Sequence, residues 1–272
     1  MLAELWKRLR TDSSRAARRL GLAREHFAIA ERHARVRAAW AAHLEASKQA
    51  ILEGAQRCPR HDRALVIGAG DCHDVPVAEL AERFPQVTLA DVVLSATAKD
   101  WANKLPGRVC TAVWDATGAL TRLAEVRDAI SADDAPKLFA DADPGPPPGG
   151  EPDFLVSANC LSQLGLVPGH SLPAAEDDKA LPERCAKAAA RRHLGWLAAR
   201  TGQRVLLVDA VRYDIAPEGK VLRTETLYTR YGLRAPDRTW RWDLAPIPEW
   251  SSDFHRVHDV GVWFDPPATP AG

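Results

Sequence analysis

The chain has 272 residues, 46% of them hydrophobic and 26% charged, an ordinary globular composition with enough apolar side chains to bury a core. The 36 basic and 36 acidic residues cancel, so net charge points to neither a nucleic-acid nor a membrane partner. No apolar run approaches the ~20 residues of a bilayer span, the first ten residues are too charged for a secretory signal, and the five cysteines are an odd number, so a cytoplasmic protein with free thiols is expected.

Charge is unevenly spread. Residues 1–60 carry 13 Lys/Arg against 6 Asp/Glu, which leaves the remainder acidic. Two readings follow: the basic segment packs on the acidic body, or it is an arm for RNA or another anionic surface. Residues 2–9 could form a short amphipathic helix. Residues 14–57 read as one long helix or two in series, divided at Gly21. Ile29, His33, Val36, Trp40, Leu44 and Ile51 recur at helical spacing and mark one face, which favours packing.

Strand–helix alternation follows. Strands are expected at 64–67, 87–90, 109–113, 154–158 and 205–208. Helices are expected at 75–84 (with Asp74 as N-cap), 94–104, 119–130 and 182–200. Such alternation implies right-handed βαβ units and a parallel sheet. Residues 131–152, rich in Asp, Pro and Gly, read as a flexible surface insert. Near the end, 239–244 and 257–264 read as an antiparallel pair at the sheet edge.

The loop after the first strand, Val66 to Asp74 (VIGAGDCHD), carries the chemistry. Gly68 and Gly70 permit a tight turn and close approach of a ligand to the backbone. Asp91, 21 residues past Gly70 at the end of the second strand, is placed either to accept hydrogen bonds from a ribose diol or to cap the next helix. A dinucleotide fingerprint wants a third glycine where His73 stands, and Asp71 and Asp74 would repel a pyrophosphate. The same carboxylates suit the ammonium and sulfonium of S-adenosylmethionine.

The run from Ala64 to Val93, ALVIGAGDCHDVPVAELAERFPQVTLADVV, resembles motif I through the acidic residue of class I S-adenosylmethionine-dependent methyltransferases, in particular a bacterial subgroup with GAGxCxD in that loop. The resemblance extends through strand order over residues 62–264 and implies a Rossmann-like α/β sheet of seven strands, mostly parallel with an antiparallel terminal pair. It implies an S-adenosylmethionine-binding, methyltransferase-like domain over 61–265, an N-terminal helical cap over 1–60 and a tail at 266–272. It further implies that Gly68, Ala69, Gly70 and Asp71 line the methionine part of the cofactor, that Asp91 holds the ribose, and that Asp115 lies near the adenine. Cys72 stands where the family's third glycine is common. The stretch DFLVSANCLSQL, 153–164, looks like motif IV, which puts Asn159 beside the transferred methyl; its other reading is a helix cap.

Other candidates stay open. Ser157 and Gln163 are possible pocket groups, and Cys160 is a structural thiol or a nucleophile without an identified activating partner. Cys58, His61, Cys72 and His73 match no tight zinc pattern, so no metal is expected. Trp40, His33 and His43 either pack in a core or belong to a helix that lids the pocket. His170 and Asp209 follow strands on the ligand side as acid or base candidates. The indole-rich 240–250 segment could stack on an aromatic or nucleobase substrate, or pack within the strand pair. The expected function is methyl transfer to a small or medium acceptor. The alternatives are a catalytically silent cofactor-binding scaffold and an NAD-linked oxidoreductase.

Overall fold

The structure, a computed structural model, describes residues 10–266; the expected helix at 2–9 and nearly all of the tail lie outside them. The first sheet strand, β1 (Arg63–Ile67), is a short apolar run buried on both faces, as a strand covered by helices on both sides must be. β2 (Gln86–Asp91), β3 (Val109–Val113) and β4 (Phe154–Ala158) continue the pattern, and β5 spans Gln203–Ile215. The sheet closes with β6 (Val221–Thr226), β7 (Arg238–Ala245) and β8 (His255–Phe264).

Strand order is β3-β2-β1-β4-β5-β8-β7, with β6 paired to the far part of β5. β1 to β5 run parallel, and β8 lies antiparallel to β5 and β7. This is the Rossmann-like arrangement with a reversed terminal pair that the sequence implies. It departs from expectation in one respect. The sheet has eight strands, because β5 runs past its expected end at 208 and turns back through β6. β5, β6, β7 and β8 thus form a tongue beyond the carboxyl edge of the parallel strands. Strand order reverses between β1 and β4, and ligands of open α/β sheets bind at the carboxyl side of such a switch.

The N-terminal segment crosses that edge. α1 (Arg15–Arg19) is capped by Ser14 and ends before Gly21, whose φ of 80° breaks the helix. α2 (Leu22–Arg57) then runs for 36 residues with a kink at Val36. Its C-terminal half belongs to the main core, where Ala50, Ile51 and Ala55 meet Phe154, Val205 and Val262. A methyl group on Gly54 would lie 2.1 Å from a Val205 methyl, so only glycine allows this approach. α3 (Val77–Arg83) and α4 (Ala96–Lys104) share this face. The long helix α8 (Leu181–Ala198) covers the other, with Leu194 and Leu197 on Leu65, Leu155 and Leu206.

Two expectations are corrected. The segment 131–152 is not a structureless insert: Asp134–Asp141 forms helix α6, after α5 (Leu120–Val126), and its Ala135 and Phe139 are fully buried with Leu181, Cys185 and Ala189 of α8. Three inward apolar positions suffice to dock so short a helix, however polar its surroundings. Asp74 does not cap α3, because Pro76 occupies the N-cap position and the Asp74 side chain turns to Asn159.

Basic residues of the N-terminal segment pair with body carboxylates: Arg10 with Asp100, Arg19 with Asp128, Arg35 with Glu249 and Arg60 with Asp153. Most of these pairs are exposed and individually weak, but together they neutralise much of the segment's charge against the body. Among the described residues no helix is long and apolar enough to cross a membrane.

Candidate functional site

The turn after β1 is pinned from several directions. The amides of Gly68 and Ala69 donate to the Ala90 carbonyl at the end of β2. The Gly70 amide donates to Asp91 Oδ2 at 2.9 Å, the Val93 amide to Asp91 Oδ1 at 3.1 Å, and Ser95 Oγ donates to the Gly70 carbonyl at 2.8 Å. Gly68 has φ 76°, and a Cβ there would sit 2.8 Å from both the Ala158 carbonyl oxygen and Cys160 Cβ. Its bareness therefore serves the close approach of the β4 loop. Gly70, with φ 48°, meets almost nothing within 4 Å where a Cβ would stand, so its backbone faces open space that a ligand can approach.

Asp91 is half-buried. Burial pushes its carboxyl above the usual range, against the pull of the Val93 and Gly70 amides. Two of its roughly four lone-pair sites are taken, leaving capacity for a hydroxyl pair. Across the turn, Asn159 closes β4 with φ 49° and donates from Nδ2 to Asp74 Oδ2 at 2.8 Å, while its buried Oδ1 has no partner. The glycine turn, Asp91, Asp74 and Asn159 thus converge at the carboxyl edge of β1, β2 and β4.

The structure places the other sequence candidates as follows. Ala69 is buried and contributes only backbone to the turn. Asp71 is half-buried and lies 3.9 Å from His73 Nε2. Asp115 accepts from the Thr117 amide and hydroxyl and from the Leu120 amide, so its carboxylate is committed to starting α5. Ser157 is fully buried, 3.0 Å from His193 Nε2. Burial pushes the Cys160 thiol up to about 12, which keeps it protonated and unsuited to nucleophilic attack. Cys58 bonds the Arg60 and Asp153 carbonyls at the amino end of the sheet, opposite Cys72, so these cysteines do not share a site. His170 is exposed at the end of α7 (Leu166–His170).

α2 and the strap before it complete the edge. Residues 12–13 pair antiparallel with 93–94 just after β2, and Leu20 is buried with Leu120, Leu123 and Phe139 on the far side. The ring of His33 lies 3.9 Å from that of His73 in the turn. His43 stacks on Trp242 at 4.1 Å and accepts from Trp240 Nε1 at 3.1 Å. A residue that sequence reasoning missed faces this helix: His258 of β8, buried, with Nδ1 3.1 Å from Asp209 Oδ1. No motif marks it, since its partner lies in another strand next to a register shift.

Desolvation lowers His43 to about 4, against Asp74 and Asp209, which pull the other way; burial likewise lowers His193 to about 4. An unfolded histidine titrates near 6.5, so between these values the folded state binds fewer protons than the unfolded one. The stability tied to these neutral imidazoles is complete above about pH 6.5 and is lost as pH falls toward about 4, by roughly 1.4 kcal/mol per group per unit. Urea midpoints should therefore be lower at about pH 5 than at about pH 7, and equal midpoints would place both rings in contact with solvent.

Two cavities lie away from the glycine turn. One of about 280 Å³ sits between α2 and the tongue, lined by Ala39, Ile215, Arg241 and Val257 among others, and one of about 480 Å³ opens at the amino end of the sheet beside Arg63 and Arg108. The turn, unlike these cavities, sits at the strand switch where ligands of open α/β sheets bind, beside the unpartnered Asn159 Oδ1.

No protein-family model matches the sequence, and no curated protein matches it. Among solved structures, the chain is similar to a Burkholderia thailandensis 1,6-didemethyltoxoflavin-N1-methyltransferase bound to S-adenosylhomocysteine, with 15% identity over 79% of this chain and 78% of that one and a TM-score of 0.36. It is also similar to a Geobacter metallireducens precorrin-6y C5,15-methyltransferase (13% identity, 78% and 86% covered, TM-score 0.31) and to a Leishmania major S-adenosylmethionine-dependent methyltransferase (13%, 79% and 72%, TM-score 0.30). Superpositions this loose assign no activity, and the fold assignment rests on the chain's own strand order.

Proposed function

We propose that the protein is a class I S-adenosylmethionine-dependent methyltransferase with a GAGxCxD-type turn, acting on a small or medium acceptor. The observation that carries this reading is the Gly68–Gly70 turn tied to Asp91 at the strand switch, with the orphaned acceptor Asn159 Oδ1 and the Asp74 carboxylate beside it. An acceptor-rich, phosphate-repelling edge suits an ammonium and a sulfonium. When bound, the cofactor supplies a methyl group made electrophilic by its positive sulfur. Asp91 accepts from the ribose hydroxyls with its remaining lone pairs. Asn159 Oδ1 and Asp74 face the ammonium, and the strap keeps water from the reacting centre, where alignment and desolvation carry much of a displacement.

Calorimetric titration with S-adenosylhomocysteine and, separately, NAD tests the reading. The thioether product should bind and NAD should not. Asp91→Ala should lose a charge-assisted contact of about 1.5–3 kcal/mol, or roughly ten- to a hundredfold in affinity, with Asp91→Asn in between. Both variants need a cooperative melt to count, since Asp91 also holds the turn. Wild-type affinity in a folded Asp91→Ala protein removes Asp91 from the site, and absent binding in the wild type removes the cofactor.

A further inference from the structure

Buried polar atoms without partners are rare in folded proteins, because each one forfeits a hydrogen bond to water. In this chain several fall in one place. Asn159 Oδ1, Trp242 Nε1 and His258 Nε2 are buried and without a hydrogen-bond partner, and Asp209 Oδ1 meets His258 Nδ1 in an ion-pair contact. They are contiguous along the fold. Asn159 donates its amide to the Leu207 carbonyl, two residues before Asp209 at the carboxyl end of β5. Asp209 lies 3.1 Å from His258, and the His258 ring meets Trp242 edge-on at 6.2 Å. His43 of α2 stacks on the same indole.

Leaving such groups unsatisfied costs stability unless something else uses them. The set has a definite chemistry. Asp209 offers an acceptor, Trp242 a donor, and the His258 ring nitrogens can donate or accept. The walls are aromatic. We propose that His258, Asp209 and Trp242 form the subsite for the methyl acceptor, which is a small planar compound bearing an ionisable hydroxyl or ring N–H, and that His258 takes its proton. This rests on the methyltransferase reading above and deepens it.

The roles follow from geometry. A small rotation brings Nδ1–H of His258 onto Asp209, which fixes the tautomer and leaves the Nε2 lone pair for the acceptor. In the transfer, a bond forms from the acceptor's oxygen or nitrogen to the methyl carbon. The carbon–sulfur bond of the cofactor breaks with its pair going to sulfur, and the acceptor's proton passes to Nε2. Asp209, a positioning residue, stabilises the resulting imidazolium. Burial opposes its charge, yet His258, His43 and Arg212 together hold its carboxyl below the usual range, so it is present as the anion this role needs.

Nuclear magnetic resonance of protein with isotopically labelled histidine reads the site without knowledge of the natural acceptor. Phenol is the probe, titrated into the free protein and into protein saturated with S-adenosylhomocysteine. The His258 signals should shift with a roughly millimolar dissociation constant, as suits so small a ligand, and nitrogen shifts should show the Nδ1–H tautomer giving way to a mixture in Asp209→Asn. His258→Phe should abolish phenol binding in a protein that still melts cooperatively and still binds S-adenosylhomocysteine. A bound thioether with His258 signals unmoved by phenol overturns the subsite and leaves the cofactor reading intact. A shift by phenol in a protein that binds no thioether overturns the methyltransferase reading and with it the proton-transfer role. Unchanged phenol binding in folded His258→Phe also overturns the proposal, since it would show that the probe does not contact this ring.

Discussion

Replacing residues 131–152 with a short Gly/Ser linker is expected to abolish the cooperative unfolding transition, or to lower its midpoint so far that little native protein remains at room temperature. Phe139 and Ala135 are fully buried against α8, and truncating a packed phenylalanine to alanine alone costs about 3–5 kcal/mol. The deletion removes more. The Gly145 carbonyl accepts from Trp196 Nε1 at 3.0 Å, and the Ala142 carbonyl accepts from Arg192. Gly118 packs so closely on the backbone at Asp143 that a Cβ would come within 2.2 Å of its carbonyl oxygen. Against a total stability of about 5–15 kcal/mol for a typical domain, these losses are decisive. Chemical denaturation of Phe139→Ala provides the graded measurement, with a lower midpoint and an unchanged slope expected. A linker variant that melts like wild type would show that α6 sits on the core without contributing to it.

That segment shows why part of the fold was legible and part was not. β1, its glycine turn and Asp91 can be read because every determinant is local: a short apolar run, two glycines at positive φ, and a carboxylate one strand later. α6 is the opposite case. Its inward residues Ala135, Leu138 and Phe139 have helical spacing, but they are embedded in Asp, Pro and Gly whose average composition mimics a linker. Composition averages over a window, whereas docking depends on three side chains. Asp115 shows how a carboxylate at a strand end can have two uses that look alike in sequence. Here the amides of Thr117 and Leu120 claim it locally. His258 was invisible because its neighbours Asp209 and Trp242 come from other strands, and a register shift sets which face it takes. The break at Gly21 that divides α1 from α2 was readable, since a lone glycine between two helical patterns marks a point where the chain can take a positive φ at no steric cost.

Trp40→Ala is expected to cost about 3–5 kcal/mol and to loosen the N-terminal strap before the rest of the molecule. Trp40 is 4% exposed, its ring meets Trp242 edge-on at 4.9 Å, and its Nε1 donates to the Leu244 carbonyl at 2.9 Å. It lies just past the kink at Val36, where α2 leaves the core and begins to cross the carboxyl edge. The segment N-terminal to it is held by the pairing of 12–13 with 93–94, the burial of Leu20, the contact of His33 with His73 and exposed ion pairs such as Arg19 with Asp128. Exposed pairs contribute little singly, so the indole is a principal anchor between the core and Leu20. Amide exchange should therefore rise across residues 12–38 in the variant and stay slow across 50–57, whose contacts with Phe154 and Val205 are untouched. Trp40→Phe separates the terms. It keeps most of the ring contact and loses the hydrogen bond, so a loss of about 1 kcal/mol is expected. If the strap closes over the cofactor, S-adenosylhomocysteine should restore slow exchange at 12–38 in wild type more fully than in Trp40→Ala. Uniform exchange along α2 in the variant would show that the helix opens as one unit, and the strap would then have no separate motion to couple to a ligand.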